Sequence, residues 1–415
     1  MVLYNFAIYL YAFIIRIISP FHKKAKKMIT GHKKTYSILR EKVDPNARYI
    51  WFHAASLGEF EQGRPIIEAI KQNHPGYKIL LTFFSPSGYE IRKNYPMADI
   101  VCYLPFDKKR NVKKFLKLIQ PEKAVFIKYE FWYNFVNQLN KRDIPVYIVS
   151  AIFRESQIFF RWYGKDMRRL LKKYKSICVQ DENSVKLLNN IGVTNTVVCG
   201  DTRFDRVGDI QKQAKQLNII ESFVRKATSE NEQTLVAGST WPKDEDILIP
   251  FFNSTPSLKL IIAPHEVDEA HLKYLEGLLQ RPHIRYSKTI PEMMGDYDCL
   301  IIDNFGLLSS IYGYGQIAYI GGGFGAGIHN VLEAAVYDIP VIFGPNFKKF
   351  LEAQQLIEQG GGYSISDYQA FRGLMDEFLH YDDILKAAGA HAGNYVRSNM
   401  GVAHRVIDIL DLGTV

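Results

Sequence analysis

The sequence predicts an α/β protein built from two doubly wound parallel-sheet domains that follow an apolar N-terminal segment. The chain has 415 residues, 47% of them are hydrophobic, and short apolar runs alternate with amphipathic stretches twice along the chain. This length favours more than one domain, and serial alternation of strands and helices favours parallel sheets covered by helices on both faces. Ligands of such sheets bind beyond the carboxyl ends of the strands.

The predicted organisation follows the chain in order, with two Rossmann-like domains that face each other across a central cleft. The predicted parts are a membrane anchor at 1–21, a basic collar at 22–48, an N-terminal Rossmann-like domain at 49–205, a linker at 206–232, a C-terminal Rossmann-like domain at 233–390 and a C-terminal helix at 391–415.

The N-terminal segment, residues 1–21, is almost wholly apolar and is interrupted by Asn5 and Arg16. A stretch of about 20 apolar residues can span a bilayer, but Arg16 near one end equally suits a shallow helix at the membrane surface. A cleaved signal peptide is disfavoured because no small-residue cleavage site follows the apolar run. The alternative to an anchor is a helix buried in the protein core.

The formal net charge of +9 is concentrated just after this segment, where residues 22–42 are rich in lysine. Such a basic collar attracts anionic membrane surfaces and places the rest of the protein on the cytoplasmic side. Nucleic acid is not expected as a partner, because no recognised nucleic-acid motif accompanies the charge. The four cysteines lie far apart and predict buried thiols without metal-ligand spacing.

Two glutamates follow strands of the predicted first sheet. Glu59 comes shortly after the predicted strand 49–53, and Glu130 comes shortly after the predicted strand 124–127. Both therefore belong to one edge of the sheet, where a carboxylate can act as a general base or orient its neighbour. Glu59 also has a structural explanation, as an acid favoured in the first turn of a helix by the helix dipole.

The segment from Gln316 to Pro345 predicts strand, glycine loop, helix and strand, with a helix over 330–337. Clustered glycines allow close approach to the backbone, and the start of a helix attracts an anion such as phosphate. The loop does not match a Walker motif, and its spacing is not clearly that of the dinucleotide fingerprint. Asn330 and Glu333 could bind phosphate and ribose oxygens, or could instead form a capping box.

Two α/β halves, with acids in the first and a glycine loop in the second, fit the glycosyltransferase architecture called GT-B. Over nearly the whole chain, the sequence resembles the Kdo transferases of lipopolysaccharide synthesis. These enzymes move 3-deoxy-D-manno-octulosonic acid (Kdo) from CMP-Kdo to a lipid A precursor. The segments that carry the resemblance are WFHAASLGE (51–59), EFWYN (130–134) with SAIFRES (150–156), VCGDTRFD (198–205) and GGGFGAGIHNVLEAA (321–335).

The resemblance implies roles for individual residues. Glu59 falls on the family's catalytic base, Glu130 on a second acid, and Arg203 on a cation, usually Lys in the family, that offsets charge on the departing phosphate. The residues that fall on the segments holding CMP are Pro264, His265, Gly306, Leu307, Leu308, Asn330, Val331, Leu332 and Glu333.

The resemblance further implies an acceptor-binding first domain, a CMP-sugar-binding second domain, a lipid IVA-type acceptor and a place at the cytoplasmic face of the inner membrane. No cofactor or metal is expected, since a cation and a helix dipole can offset the charge of a single departing phosphate. Two other functions stay open on the sequence. One is a GT-B enzyme that uses a UDP-sugar, and the other is a non-catalytic membrane protein that binds sugar nucleotides.

Overall fold

A computed structural model describes residues 2–225 and 232–413. Their backbone divides into two compact units, of which the first holds the chain up to Arg206 together with the chain from Gly401 onward, and the second holds Val207–Met400. Each unit contains one seven-stranded sheet in which every pair of neighbouring strands is parallel.

The first sheet has the strand order β3-β2-β1-β4-β5-β6-β7, so the order reverses between β1 and β4. The strands at its centre are nearly continuous apolar runs buried on both faces, as expected for a parallel sheet covered by helices. The strands are β1 (Arg48–Ala54), β2 (Tyr77–Phe83), β3 (Ile100–Tyr103), β4 (Lys123–Ile127), β5 (Val146–Ala151), β6 (Ser176–Val179) and β7 (Thr196–Val198).

The second sheet has the strand order β10-β11-β9-β8-β12-β13-β14, so β8 lies between β9 and β12. Its two edge strands, β10 and β14, have only three residues each and no strong apolar run, and the sequence did not predict them. The strands are β8 (Gln233–Thr240), β9 (Leu258–Pro264), β10 (His283–Arg285), β11 (Cys299–Ile301), β12 (Ile317–Ile320), β13 (Val341–Phe343) and β14 (Gly362–Ser364).

Helices cover both sheets. In the N-terminal half they are α1 (Val2–Ile18), α2 (Lys23–Lys42), α3 (Leu57–Asn73), α4 (Pro86–Arg92), α5 (Lys109–Leu118), α6 (Tyr133–Asn140), α7 (Lys165–Leu171), α8 (Glu182–Asn189) and α9 (Arg203–Lys212). The remaining helices are α10 (Asn218–Arg225), α11 (Pro242–Ser254), α12 (Glu269–Leu278), α13 (Leu308–Ile311), α14 (Leu332–Ala335), α15 (Leu351–Glu358), α16 (Tyr368–His380), α17 (Asp382–Asn399) and α18 (Val402–Leu410).

The predicted linker and C-terminal helix differ from the structure. Residues 206–232 contain most of α9 and all of α10, and the prediction for residues 226–231 lies outside the described residues. The predicted single helix at 391–415 is the end of α17 followed by α18. The break lies at Gly401, whose φ of 85° only glycine adopts readily. The Asp205 carboxylate accepts from the Gly401 and Ala403 N–H groups at 2.5 and 2.6 Å and so caps α18.

The last helix, α18, packs into the first unit. Its apolar side chains Val402, Val406 and Leu410 are buried in the same core cluster as Phe60 and Ile67 of α3. The chain therefore completes the first core only after passing through the whole second unit.

The apolar N-terminal segment forms α1, which has 17 residues and is about 25 Å long. Among the described residues no single helix is long and apolar enough to cross a bilayer, and α1 and α2 would pass only as a pair bent by 117°. One side of α1 packs against the body, whereas Leu3, Phe6 and Phe13 are exposed by 79%, 64% and 60%. Basic helix α2 corresponds to most of the predicted collar.

A buried carboxylate attaches α1 to the body. Asp107 accepts from the Tyr4 hydroxyl at 2.6 Å and from the Asn134 and Phe135 N–H groups at 2.8 and 2.9 Å, so that it also caps the start of α6. The Asn134 amide donates to Asn5 Oδ1 at 2.8 Å and adds a second contact between α6 and α1. Burial raises the pKa of Asp107 to about 7, although its hydrogen bonds act in the opposite direction.

The raised pKa of Asp107 predicts a pH-dependent stability. Between about pH 4 and pH 7 the folded state keeps this proton while the unfolded state has lost it, so the free energy of unfolding falls as pH rises. We expect the slope, at most about 1.4 kcal/mol per pH unit, to flatten in Asp107→Asn. Urea denaturation across this pH range measures it, with Asp408→Asn at an exposed position as control. An unchanged slope in Asp107→Asn contradicts the assignment.

Candidate functional site

The reversal of strand order marks the candidate site in the first unit. Where the order of strands in a parallel sheet reverses, the loops at the carboxyl ends of the two adjacent strands lead away from each other and leave a crevice. In this sheet the two strands are β1 and β4. Glu59 follows β1 and Glu130 follows β4, so the structure brings both predicted acids to this crevice.

The Glu130 carboxylate is buried and holds the two loops together. Its Oε2 accepts from the Trp132 indole N–H at 2.6 Å and lies 3.0 Å from His53 Nε2, at the end of β1. On its other side, His53 Nδ1 lies 2.9 Å from the Thr82 hydroxyl and 3.0 Å from the Thr82 carbonyl oxygen, on β2. With 8% of its surface exposed, Glu130 is placed to hold the loops in position.

Glu59 is half-buried, in the first turn of α3. The Ser56 hydroxyl donates to its carboxylate. Ser56 is the N-cap residue of α3 but makes no side-chain cap hydrogen bond, because its hydroxyl is directed to Glu59. A carboxylate that accepts one such bond keeps further lone pairs for a substrate hydroxyl. The helix dipole also favours an acid at this position, so both explanations given by the sequence apply together.

Arg203 lies at the start of α9 and forms an ion pair with Asp201. Its Nε and terminal nitrogen lie 2.7 and 2.6 Å from Asp201 Oδ2, and the Arg203 N–H also donates to the same carboxylate. Asp201 is buried, whereas about a third of the Arg203 side chain is exposed. The pairing orients the guanidinium and partly neutralises it.

Residues with a strained backbone occur at three strand ends, and no sequence pattern indicated them. Lys128, Ser150 and Ser239 have φ values of 69°, 55° and 54°, in the left-handed region that side chains with a Cβ disfavour. They lie at the carboxyl ends of β4, β5 and β8. Such conformations cost about 1–3 kcal/mol each and concentrate at functional sites.

The second unit has its own reversal of strand order, between β8 and β12, and the glycine loop follows β12. Buried Asp244 in α11 holds this loop: it accepts from the Gly322 N–H at 2.9 Å, the Tyr319 hydroxyl at 2.8 Å and the Trp241 N–H at 2.9 Å. Gly322 has a φ of 91°, and a Cβ at this position would lie 2.5 Å from the Gly327 carbonyl oxygen.

The predicted helix after the loop is shorter than expected. Instead of 330–337, α14 covers the four residues Leu332–Ala335, and the chain turns immediately afterwards. Some loop N–H groups are already used: that of Gly322 donates to Asp244, and those of Gly325 and Gly327 donate to the Gly322 carbonyl. Anion binding here would therefore depend on the remaining loop groups and side chains more than on a helix dipole.

Asn330 and Glu333 contact each other at the start of α14. The Asn330 amide donates to Glu333 Oε1 at 3.0 Å, and Asn330 Oδ1 accepts from the Leu332 N–H at 3.2 Å. This is a turn stabilised by Asn330, and α14 has no N-cap side-chain hydrogen bond. Val331 and Leu332 are fully buried, so a ligand could meet only their backbone.

Three aromatic rings stack beside the loop. The His265 ring, just after β9, lies 4.7 Å from the Trp241 ring and 4.6 Å from the His329 ring, at interplanar angles of 25° and 29°. Burial and the neighbouring His265 lower the pKa of His329. His265 is exposed, whereas Pro264 is buried in β9. The sequence did not indicate Trp241, because a single tryptophan after a strand has no motif.

The remaining predicted residues, Gly306, Leu307 and Leu308, follow β11. Gly306 is exposed with a φ of 89°, and open space surrounds the position of its missing Cβ. Because β11, β9, β8 and β12 are consecutive neighbours in the sheet, all the predicted nucleotide-binding segments follow its carboxyl edge. Within residues 2–225 and 232–413, no cluster of three or more His, Cys, Asp or Glu residues could hold a metal ion.

The chain is similar both to a protein family and to individual enzymes. Residues 27–206 match the family model described as 3-deoxy-D-manno-octulosonic-acid transferase (kdotransferase). The Kdo transferase of Aquifex aeolicus is 28% identical over 325 residues, which cover 77% of this chain and 82% of that protein. The Kdo transferase of Haemophilus influenzae is 25% identical over 381 residues, covering 88% and 87%. The resemblance noted in the sequence is thereby confirmed.

Solved structures share the fold at low sequence identity. A UDP-N-acetylglucosamine 2-epimerase from Listeria monocytogenes, described as putative, has a TM-score of 0.62 at 10% identity, covering 88% of this chain and 96% of that one. The Neisseria meningitidis UDP-GlcNAc 2-epimerase has a TM-score of 0.61 at 13% identity, covering 87% and 99%. The predicted GT-B class with two Rossmann-like domains is confirmed.

Two glycines of the loop provide a matched test of the loop conformation that Asp244 holds in place. Gly322→Ala places a Cβ against the Gly327 carbonyl at a left-handed φ, so we expect a loss of about 1–3 kcal/mol in the free energy of unfolding. In Gly325→Ala the new Cβ lies 3.6 Å from its nearest neighbour, and we expect a change within about 0.5 kcal/mol. Urea denaturation measures the free energy of unfolding of both variants. Equal losses would show that the left-handed φ and close contact at Gly322 do not determine the effect.

Proposed function

We infer that this chain is a Kdo transferase, a glycosyltransferase of lipopolysaccharide biosynthesis that moves Kdo from CMP-Kdo to a lipid A precursor of the lipid IVA type and releases CMP. The observation that carries the proposal is Glu59. It is a half-exposed carboxylate at the strand-order reversal of the first sheet, inside the range 27–206 that matches the Kdo transferase family model.

In the proposed reaction Glu59 acts as general base. It takes the proton from an acceptor sugar hydroxyl, whose oxygen forms the new bond to the anomeric carbon of Kdo. The bond from that carbon to the phosphate oxygen breaks, its electron pair leaves with CMP, and the anomeric configuration inverts. The Ser56 hydroxyl donates to the Glu59 carboxylate and keeps it oriented.

Glu130 has a different proposed role. Its buried carboxylate already accepts from Trp132 and contacts His53, so it positions the loop after β4 relative to β1. Arg203 offsets the charge that develops on the departing phosphate. Asp201 directs its guanidinium for this purpose, and the proposed reaction needs no metal or other cofactor.

CMP-Kdo is the proposed donor, bound by the second unit along the carboxyl edge of its sheet. The exposed His265 ring, the backbone at Gly306 to Leu308 and the Asn330 and Glu333 pair are the groups assigned to CMP. The side chains of Val331 and Leu332 are buried, and the Leu332 N–H already donates to Asn330, so these two residues contribute by shaping the turn that presents Asn330 and Glu333.

The protein is proposed to act at the cytoplasmic face of the inner membrane. The exposed apolar side of α1 suits the acyl boundary, and the lysines of α2 suit anionic headgroups. This is the interfacial option that the sequence left open, with α1 lying in the plane of the membrane.

Glu59→Gln tests the base. We expect CMP release from CMP-Kdo and a lipid A precursor to fall by about 10²- to 10⁴-fold, because the amide cannot accept the proton. Glu68→Gln, on the same helix and paired with Arg64, is the control and should keep most of the activity. Full turnover by a folded Glu59→Gln variant would remove Glu59 from the mechanism, whereas absence of turnover in the unaltered chain would favour a non-catalytic binding function.

The second candidate is a transferase or epimerase that uses a UDP-sugar, since the fold matches UDP-N-acetylglucosamine 2-epimerases. Calorimetric titration separates the two. We expect CMP to bind at least about tenfold more tightly than UDP, a difference of about 1.4 kcal/mol. Tight binding of UDP without binding of CMP would overturn the proposed donor.

A further inference from the structure

A basic cavity of about 440 Å³ lies among α1, α2 and α5 of the first unit. Its lining includes four basic side chains, Arg16, Lys33, Lys108 and Lys114. Among the described residues that line the cavity there is no aspartate or glutamate. Two of the lysines are held over rings: Lys108 Nζ lies 4.6 Å from the Tyr9 ring centroid, and Lys114 Nζ lies 4.2 Å from that of Tyr36.

The positive charge of this cavity is not balanced within its own walls. Burial, followed by repulsion from Arg16, lowers the pKa of Lys108. A bound anion among these side chains would offset the repulsion between Arg16 and Lys108 and stabilise the charged form of Lys108. The preferred guest is therefore negatively charged.

A buried histidine in the cavity wall provides an independent indication of a ligand. His32 is 7% exposed, and neither of its ring nitrogens has a hydrogen-bond partner within the described residues. The Tyr36 hydroxyl, in the same wall, is likewise buried and unpaired. Unpaired buried polar groups are destabilising and rare in native proteins, so His32 and the Tyr36 hydroxyl both lack a hydrogen-bond partner that a ligand could supply.

The cavity adjoins the part of the molecule assigned to the membrane. Ala12 and Arg16 of α1 form one wall, while Phe13 and Ile17 of the same helix are exposed by 60% and 55%. A helix lying at the acyl boundary brings the cavity to the depth of the lipid headgroups. Phosphate oxygens at that depth accept from lysine, arginine, imidazole and phenol donors.

We propose that the cavity binds the phosphate headgroup of an anionic phospholipid, with His32 and Tyr36 as donors and Arg16, Lys33, Lys108 and Lys114 as counter-charges. This site is separate from the acids of the first unit, because Phe84 and Trp132 lie between His32 and Glu130. His32 packs on Phe84 and Phe106, Phe84 packs on Trp132, and Trp132 donates to Glu130. The proposal rests on the membrane location of α1 and does not depend on Kdo transfer.

The test compares two charge reversals on one helix. Lys108→Glu with Lys114→Glu changes the cavity wall, whereas Lys109→Glu with Lys113→Glu makes the same change in net charge at exposed positions outside it. Binding of the full chain to phosphatidylcholine vesicles, with and without phosphatidylglycerol, is measured by sedimentation. We expect the cavity variant to lose about tenfold more affinity for the phosphatidylglycerol vesicles than the control. Equal losses would mean a general surface attraction and would overturn the proposal.

His32→Phe separates binding from folding. It keeps an aromatic ring against Phe106 and removes the unpaired nitrogens, so the melting temperature should stay or rise while affinity for phosphatidylglycerol falls. A lower melting temperature with unchanged affinity would show that His32 is only a core residue.

Two further arms identify the source of the phosphate. Inorganic phosphate alone should not protect the fold as phosphatidylglycerol does, and a lipid A precursor should not compete with phosphatidylglycerol at the cavity. Protection by inorganic phosphate to the same degree, or competition that is lost in the cavity variant, would assign the site to free phosphate or to the acceptor and overturn the phospholipid assignment.

Discussion

The site of the first unit depends on one buried contact, between the His53 imidazole on β1 and the Glu130 carboxylate after β4, 3.0 Å apart. Parallel pairing brings the ends of these strands together, but it does not determine how the loops beyond them lie. The contact does so, because breaking it would leave His53 Nε2 without this partner and the buried Glu130 carboxylate with one hydrogen bond fewer, which costs about 1–3 kcal/mol. It thereby holds the segment after β4 beside the helix that carries Glu59.

In the second unit a different carboxylate, that of Asp244, holds the loop beyond the strand ends in position. Asp244, in the helix after β8, accepts from the backbone of the glycine loop after β12 and so spans the strand-order reversal of its own sheet. In both units a buried acid joins the loops of two adjacent strands at the place where a ligand would approach. Glu59 in the first unit is half-buried and His265 in the second is exposed, so both are more accessible than these two acids.

Sequence periodicity predicted most of this architecture, because strands buried on both faces are apolar runs that are easy to recognise. It placed Glu59 and Glu130 correctly at one sheet edge, since parallel strands all end on the same side. It could not predict that Glu130 is buried against His53 and Trp132, because this contact joins residues 77 positions apart. Helix α14 is shorter than the pattern suggested because the chain forms a turn at Asn330 before it and a turn over 336–338 after it. The roles of Asp244 and Trp241 required coordinates for the same reason, as neither belongs to a recognisable motif.

The return of the chain to the first unit affects the order in which the protein can fold during translation. Helix α3, which carries Glu59, shares its core with Val402, Val406 and Leu410. Those residues leave the ribosome only after the entire second unit has emerged, so a nascent N-terminal fragment lacks part of the packing beneath α3. The second unit, Val207–Met400, is continuous in sequence and has no such dependence. A growing polypeptide therefore completes the unit that contains the glycine loop before the unit that contains Glu59, and truncation within 401–410 would damage the unit that is synthesised first.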